Sequence, residues 1–252
     1  MTSRSGDTTK KAGSLYGTVK LVAQVLLFAL IIRSLLFQTF YIPSGSMKDT
    51  LLIGDHLLVS KYSYGYSKYS FPFDLIPFSG RILSTSPERG DVAVFKTPRD
   101  NSTDFIKRVI GLPGDEIQVT GGILHINGSP VPRERIENFI SRDTSGRSRV
   151  VPRYVETLPN GISYHVLDEA PAGRLDNTDV YKVPPGHYFM MGDNRDRSSD
   201  SRILDNVGYV PLENFVGRAQ VIYFSLDRWI IDTKGYLELP RALRWNRFFN
   251  ML

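Results

Sequence analysis

Ser46 stands in Ile42-Pro43-Ser44-Gly45-Ser46-Met47, and Lys107 in Phe105-Ile106-Lys107-Arg108-Val109-Ile110-Gly111. A serine hydroxyl becomes a useful nucleophile only when a base removes its proton. Histidine is the usual base, yet the chain's four histidines, His56, His125, His165 and His187, stand in no recognisable triad pattern. A neutral lysine does the same work if burial lowers its pKa. Bringing a lysine from ~10.4 to about 8 takes roughly 3 kcal/mol of differential destabilisation of the cation, within the reach of burial. On a strand, Phe105, Lys107 and Val109 share one face, which sinks Lys107 among apolar side chains. Lys96 keeps similar company with Val92 and Val94, and periodicity does not separate the two. An edge-strand lysine whose amine reaches water fits the same spacing. The chemistry on offer is acyl transfer by a serine and a lysine.

Other chemistries are poorly supplied. The chain contains no cysteine, which excludes disulfides, thiol catalysis and cysteine-ligated metal. None of the histidines has metal-like spacing, and Asp193-Asn194-Arg195-Asp196 lacks the Gly and bidentate Glu of a calcium loop. No metal and no cofactor are expected. A net charge of +5 could suggest nucleic acid, but Lys and Arg are dispersed without a dense basic stripe.

The elements that must position Ser46 and Lys107 begin at a membrane. Residues 21–41 are apolar apart from Gln24, Arg33, Ser34, Gln38 and Thr39, and approach the ~20 residues that a spanning helix needs. Lys10, Lys11 and Lys20 precede the run, as in a cleavable signal peptide. The bulky Phe37-Gln38-Thr39-Phe40-Tyr41 offers no small-x-small cleavage site, so the segment reads as an uncleaved anchor. Arg33 is costly inside a span unless it snorkels. The basic flank keeps the N-terminus cytoplasmic and sends the rest of the chain to the other side. Beyond the anchor, short apolar or alternating runs at 91–95, 105–110 and 216–224 read as strands. Asn127-Gly128 and Asn160-Gly161 signal hairpins. Tyr62, Tyr64, Tyr66, Tyr69, Phe71, Phe73 and Phe78 form an aromatic run that fits either a loop at the lipid interface or one folded back on a β core. From Pro240, Trp245, Phe248, Phe249 and Leu252 recur at helical spacing with Arg241, Arg244 and Arg247 on another face. That pattern suits a helix lying on anionic lipid, with a docked or unstructured tail as the alternative.

Four stretches together resemble the bacterial type I signal peptidases. They are 42–47 with 50–55, Arg89-Gly90-Asp91-Val92-Ala93-Val94-Phe95, 105–115, and Gly192-Asp193-Asn194-Arg195-Asp196-Arg197-Ser198-Ser199-Asp200-Ser201-Arg202, in the family's order. The resemblance implies that Ser46 is the acylating nucleophile and Lys107, rather than Lys96, its general base. The Ser46 N–H and the Ser44 hydroxyl would form the oxyanion hole, Ser198 would orient the lysine, and Asp200 with Arg202 would support the site. It further implies substrate-pocket walls at Phe40, Ile42, Pro43, Met47, Leu51, Val94 and Ile106, residues that ordinary core packing would equally explain. Two positions depart from the family pattern: Asp49 where Pro is usual, and Arg197 where Asn is usual.

The expected architecture is mainly β: an N-terminal transmembrane helix followed by an antiparallel β catalytic domain with an inserted second β region. The expected boundaries are a cytoplasmic tail 1–20, anchor 21–41, catalytic domain 42–117 and 183–235, insert 118–182 with an exposed loop at 141–149, and basic amphipathic tail 236–252. The resemblance implies a membrane-anchored serine endopeptidase of the bacterial inner membrane, removing signal peptides from exported preproteins at its extracytoplasmic face. Its implied partners are preproteins and membrane lipid, not nucleic acid. The competing reading from another class is a non-catalytic, membrane-tethered β module that binds exported or envelope proteins.

Overall fold

The computed structural model describes residues 8–71, 78–142, 147–170, 172–227, 230 and 239–252, with side chains from residue 15 onward. Helix α1, Thr8–Ile31, continues through a π-helical turn, Ile32–Leu36. The apolar stretch Leu15–Leu36 is 22 residues long and almost uncovered by the rest of the chain. At ~1.5 Å rise per residue it is long enough to cross the ~30 Å of a bilayer's hydrocarbon.

The helix ends earlier than the apolar run suggests. Phe37–Tyr41 is strand β1 and pairs antiparallel with β2, Asp55–Ser60, from Phe37 opposite Ser60 to Tyr41 opposite His56. Helix hydrogen bonds close within a segment, whereas these backbone groups find partners in β2; hydropathy alone does not distinguish the two. The expected span 21–41 is therefore displaced toward the N-terminus. Residues 1–7 of the expected cytoplasmic tail lie outside the described residues.

The main sheet continues with β3, Val92–Lys96, and β4, Asp104–Gly111. The chain then builds two smaller sheets before returning. One contains β5 (Glu116–Thr120), β6 (Ile123–Ile126), β7 (Ser129–Pro130) and, later, β11 (Tyr181–Lys182). The other is the three-stranded antiparallel array of β8 (Arg133–Arg142), β9 (Ser148–Thr157) and β10 (Ser163–Leu167). Asn127 and Gly128 both have positive φ, 52° and 77°, as the tight β6–β7 hairpin requires. Of the loop expected at 141–149, residues 143–146 lie outside the described residues, and the flanking residues extend β8 and β9. The main sheet closes with β12 (His187–Met191), β13 (Val210–Pro211) and β14 (Phe215–Ser225), in the order β1-β2-β14-β3-β4-β12-β13.

The unbroken apolar run of β3 is explained by burial on both faces. Val92 and Val94 join Leu57, Val59, Met47 and Leu51 in one core, while Ala93 and Phe95 join Tyr64, Val109 and Phe215 in another. A third core, around Ile117, Leu124, Val166 and Phe189, joins the smaller sheets to the main one. The aromatic run divides: Tyr64 and Tyr69 fold back and are buried, Tyr66, Phe71 and Phe78 are partly buried, Tyr62 is exposed, and Phe73 lies outside the described residues.

The C-terminal tail is not the amphipathic helix that its spacing suggested. Leu239–Ala242 makes one helical turn and Trp245–Arg247 one 3-10 turn, before β15, Asn250–Met251, pairs with β14. Residues 236–238 of the expected tail are outside the described residues. Arg244 and Arg247 turn inward rather than toward lipid, while Arg241 is exposed. Arg247 meets the fully buried Asp55 with Nη2 to Oδ2 at 2.7 Å and Nε to Oδ1 at 3.2 Å, while Arg244 donates to the Ile53 carbonyl. Asp55 also accepts from the Leu52 N–H at 2.7 Å and Ser225 Oγ at 2.7 Å, fixing the loop that follows Ser46. Removing one partner of a buried pair leaves the other charge uncompensated. Arg247→Ala should therefore lower stability by about 3 kcal/mol in detergent-phase chemical denaturation. A loss under about 1 kcal/mol would place the tail outside the folded unit, in the range of exposed ion pairs.

Candidate active site

The turn bearing Ser46 is held from three sides. Ile42 N–H donates to Asp55 O at 2.9 Å, Leu51 N–H to Met47 O at 2.7 Å, and Asn194 N–H to Ser46 O at 3.0 Å. Asn194 Nδ2 adds a bond to Gly45 O at 3.1 Å. Met47 and Leu51, on either side of a short polar stretch, are completely buried and pin the turn to the core. The Ser46 N–H donates to no protein group among the described residues, and the Ser44 hydroxyl lies 3.5 Å from Ser46 Oγ. Two donors thus stand beside Ser46 Oγ.

Lys107 comes from β4, opposite Ala93 of β3. On its other side the pairing with β12 ends at Arg108, opposite Met191, and the Ser46 turn comes in just beyond. Lys107 Nζ donates to Ser46 Oγ at 2.9 Å and to the Ile106 carbonyl at 2.9 Å, and lies 5.1 Å from the centre of the Phe105 ring. Its side chain is buried, with no ion-pair partner among the described residues. Burial lowers its pKa to about 8, against a smaller opposite pull from the charges of Asp200 and Asp193. Lys96, the other lysine that the strand pattern allowed, is instead paired with Asp104 at 2.9 Å.

Ser198 does not bond Lys107 here. Its Oγ is buried beside Asp200, without a partner at hydrogen-bonding geometry. Asp200 and Arg202 form a buried two-toothed pair, Nε to Oδ1 at 2.8 Å and Nη2 to Oδ2 at 2.9 Å, and Asp200 also accepts the Gly192 N–H at 3.0 Å. Burial works against the Asp200 carboxylate, but Arg202 holds its pKa below the usual carboxylate range. Of the expected pocket walls, Ile42, Met47, Leu51 and Val94 are buried in one core, with Phe40 and Ile106 half-buried against it; Pro43 is exposed.

Several positioning residues carried no assigned role in the sequence, although their motifs were visible. Arg108, next to Lys107, is fully buried and grips Asp193 with Nε to Oδ1 at 2.9 Å and Nη2 to Oδ2 at 2.7 Å. Thr50, four residues after Ser46, donates to Asp193 Oδ2 at 2.6 Å, so this pair ties the Ser46 loop to the Lys107 strand. Arg195 makes a second buried pair with Glu156 of β9, which also accepts the Tyr164 hydroxyl at 2.8 Å. No motif marked Glu156 or Tyr164, because both lie in the smaller sheets. Asp49 uses its carboxylate to reach the same array, 3.0 Å from Arg153 and 3.0 Å from His165. Arg197 points outward to Glu169 at 3.0 Å, so its guanidinium does not contact Ser198. Asp168, Asp176 and Asp196 converge as a carboxylate cluster, but Arg133 pairs with Asp168, and backbone N–H groups bond the other two.

The model of the family described as signal peptidase, peptidase S26, matches residues 15–224. A curated signal peptidase I of Rickettsia canadensis (strain McKiel) is 44% identical over 252 residues, covering 92% of each chain. That of Rickettsia typhi (strain ATCC VR-144 / Wilmington) is 47% identical over 229 residues, 87% of this chain and 84% of that one. A crystal structure of a signal peptidase I from Enterococcus faecalis V583 covers 53% of this chain and 97% of its own, with 27% identity and a TM-score of 0.30.

Gly192 lets the 192–202 segment press against the Ser46 turn. A Cβ there would stand 2.2 Å from Ser198 Oγ and 2.6 Å from the Ser46 carbonyl oxygen. Gly192→Ala should displace Ser46 and lower peptide-hydrolysis kcat on the order of 10²-fold, the scale of an ångström misplacement. The far-ultraviolet circular dichroism should stay that of a β protein. An unchanged kcat would mean that the contact is not positional.

Proposed function

The chain belongs to the signal peptidase family, peptidase S26, and on that premise we propose that Ser46 and Lys107 carry out its serine-protease chemistry. The observation supporting this assignment is the 2.9 Å contact between a buried, carboxylate-free lysine amine and Ser46 Oγ. The enzyme removes signal peptides from preproteins. Neutral Lys107 takes the Ser46 proton as Oγ attacks the scissile carbonyl carbon. Negative charge gathers on the carbonyl oxygen, where the Ser46 N–H and Ser44 hydroxyl donate to it. The lysine ammonium then gives its proton to the departing amine, the C–N bond breaks, and an acyl-Ser46 ester remains. Water attacks that ester, losing its proton to Lys107, and the freed carboxyl end departs as Ser46 recovers its hydrogen.

Substrate selection follows from the apolar face beside the dyad. An extended segment laid along strand edges would place alternate side chains against the half-buried Phe40 and Ile106, which Ile42, Met47, Leu51 and Val94 back from the core, with Pro43 at the rim. Bulky walls leave shallow depressions, which suit small residues one and three positions before the cut. The Leu15–Leu36 helix anchors the enzyme in the bacterial inner membrane with its basic end cytoplasmic, so cleavage occurs at the extracytoplasmic surface. The Asp200–Arg202 pair supports the loop carrying Ser198, which can reach toward Lys107 when substrate fills the cleft.

Incubation with a precursor bearing an Ala-x-Ala site, followed by N-terminal sequencing of the product, tests the reading. Ser46→Ala should abolish cleavage while leaving circular dichroism unchanged; cleavage at the same bond by the variant would exclude Ser46 as nucleophile. Because the active base is the neutral amine, kcat/KM should rise with pH and level off above about 8, the pKa to which burial brings Lys107. Below that pH the rate should fall about tenfold per unit. A profile flat from acid to neutral pH would point to another base.

A further inference from the structure

Away from Ser46, charge collects where the anchor meets the main sheet. A cavity of about 270 Å³ opens among Arg33, Gln38, Lys61, Tyr69, Lys96 and Asp104. Three cations there meet one carboxylate, and Asp104 is already held by Lys96 at 2.9 Å. Arg33 and Lys61 have no acidic partner among the described residues. Lys61 is 2% exposed and spends one of its three N–H donors on the Ser70 carbonyl at 2.5 Å. Burial, with the Arg33 charge second, pushes its pKa down to about 8, as expected of a site short of negative charge.

The depth of this cavity is fixed by the chain itself. The Lys61 N–H donates to the Leu36 carbonyl at 2.9 Å, and the Tyr66 hydroxyl to the Leu35 carbonyl at 2.8 Å. Both carbonyls belong to the last turn of the Leu15–Leu36 span, and Arg33 is part of it. An arginine inside a span is expensive unless it reaches a headgroup or an anion. The cavity therefore lies at the level of lipid phosphates, with Arg33 on its membrane side and Lys61 on its protein side.

We propose that this cavity binds the phosphate of an anionic phospholipid headgroup, gripped by the Arg33 guanidinium and the Lys61 ammonium. The inference rests on the membrane-anchored reading given above. The planar fork of Arg33 suits two phosphate oxygens, and Lys61 supplies a point charge from the opposite side. The bound phosphate would lock the junction between anchor and catalytic sheet. A different occupant is chemically conceivable: Gln38 lies two residues before Phe40 on β1, so the cavity adjoins the face assigned to substrate. Acidic preprotein residues ahead of the cut are the alternative that the test separates.

Full-length protein in maltoside micelles would be titrated with dihexanoyl phosphatidylglycerol, followed by phosphorus-31 NMR. Saturable broadening is expected in the wild type. Arg33→Gln, an exposed substitution that leaves the core untouched, and Lys61→Met should each weaken binding about tenfold or more, the size of a charge-assisted hydrogen bond. Equal affinity in the wild type and Arg33→Gln would overturn the proposal. Inorganic phosphate binding as tightly as the lipid would keep the anion site but overturn the lipid source. Absent lipid binding, with a Glu-bearing precursor bound tenfold tighter than its Gln counterpart, would assign the cavity to substrate. Co-sedimentation with phosphatidylcholine vesicles separates the two levels of failure. A protein that stays in solution overturns the anchor, whereas one that sediments without headgroup preference overturns the cavity alone.

Discussion

The burial of one amine beside one hydroxyl is the constraint that organises this molecule. A lysine ammonium is strongly hydrated, and a fold that removes its water without supplying a carboxylate drives it toward the neutral form. Here Lys107 Nζ has Ser46 Oγ and the Ile106 carbonyl as partners, and an aromatic ring nearby. The same dry surroundings strengthen each dipole aimed at developing charge. The linkage is unfavourable to stability at neutral pH. Between about 8 and the unfolded value near 10.5 the unfolded chain binds the extra proton, so stability rises with pH across that window.

The neighbouring charges are handled in the opposite way. Arg108 with Asp193, Arg202 with Asp200, and Arg195 with Glu156 are buried as closed pairs, each saturating two carboxylate oxygens. Such pairs add little net stability compared with apolar packing, but breaking one strands a charge. Their value here is geometric. Asp193 joins Thr50 after Ser46 to Arg108 beside Lys107, and Asn194 holds the Ser46 and Gly45 carbonyls. Three stretches distant in sequence thereby fix a single hydrogen bond. Asp55 plays the same part for the C-terminal tail, drawing Arg247 inward onto the loop that follows the turn.

Much of this was legible in the chain. The serine in its Pro/Gly turn, the lysine on an apolar strand and the Asn-Gly hairpins have local causes, and local causes survive in sequence. Two failures have a common origin in competition from distant partners. Phe37–Tyr41 is apolar enough for lipid, yet β2 offers it hydrogen bonds. The tail has helical spacing, yet Asp55 takes Arg247 and β14 takes the last residues as a strand partner. The partners of Arg195 were unreadable for a related reason: Glu156 and Tyr164 come from the smaller sheets, where pairing register rather than motif sets position. Ser198 is the one assigned orienting residue that the structure leaves short of Lys107, with its hydroxyl beside Asp200 instead.

The most direct test of the account is the titration of Lys107 itself, followed by NMR with carbon-13 at the lysine ε position. Two resonances should titrate near 8, with Lys107→Met deleting one and Lys61→Met the other. If the Lys107 resonance instead moved with the solvent-exposed lysines near ~10.4, almost no neutral amine would be present at pH 8 and Lys107 could not serve as the proposed base.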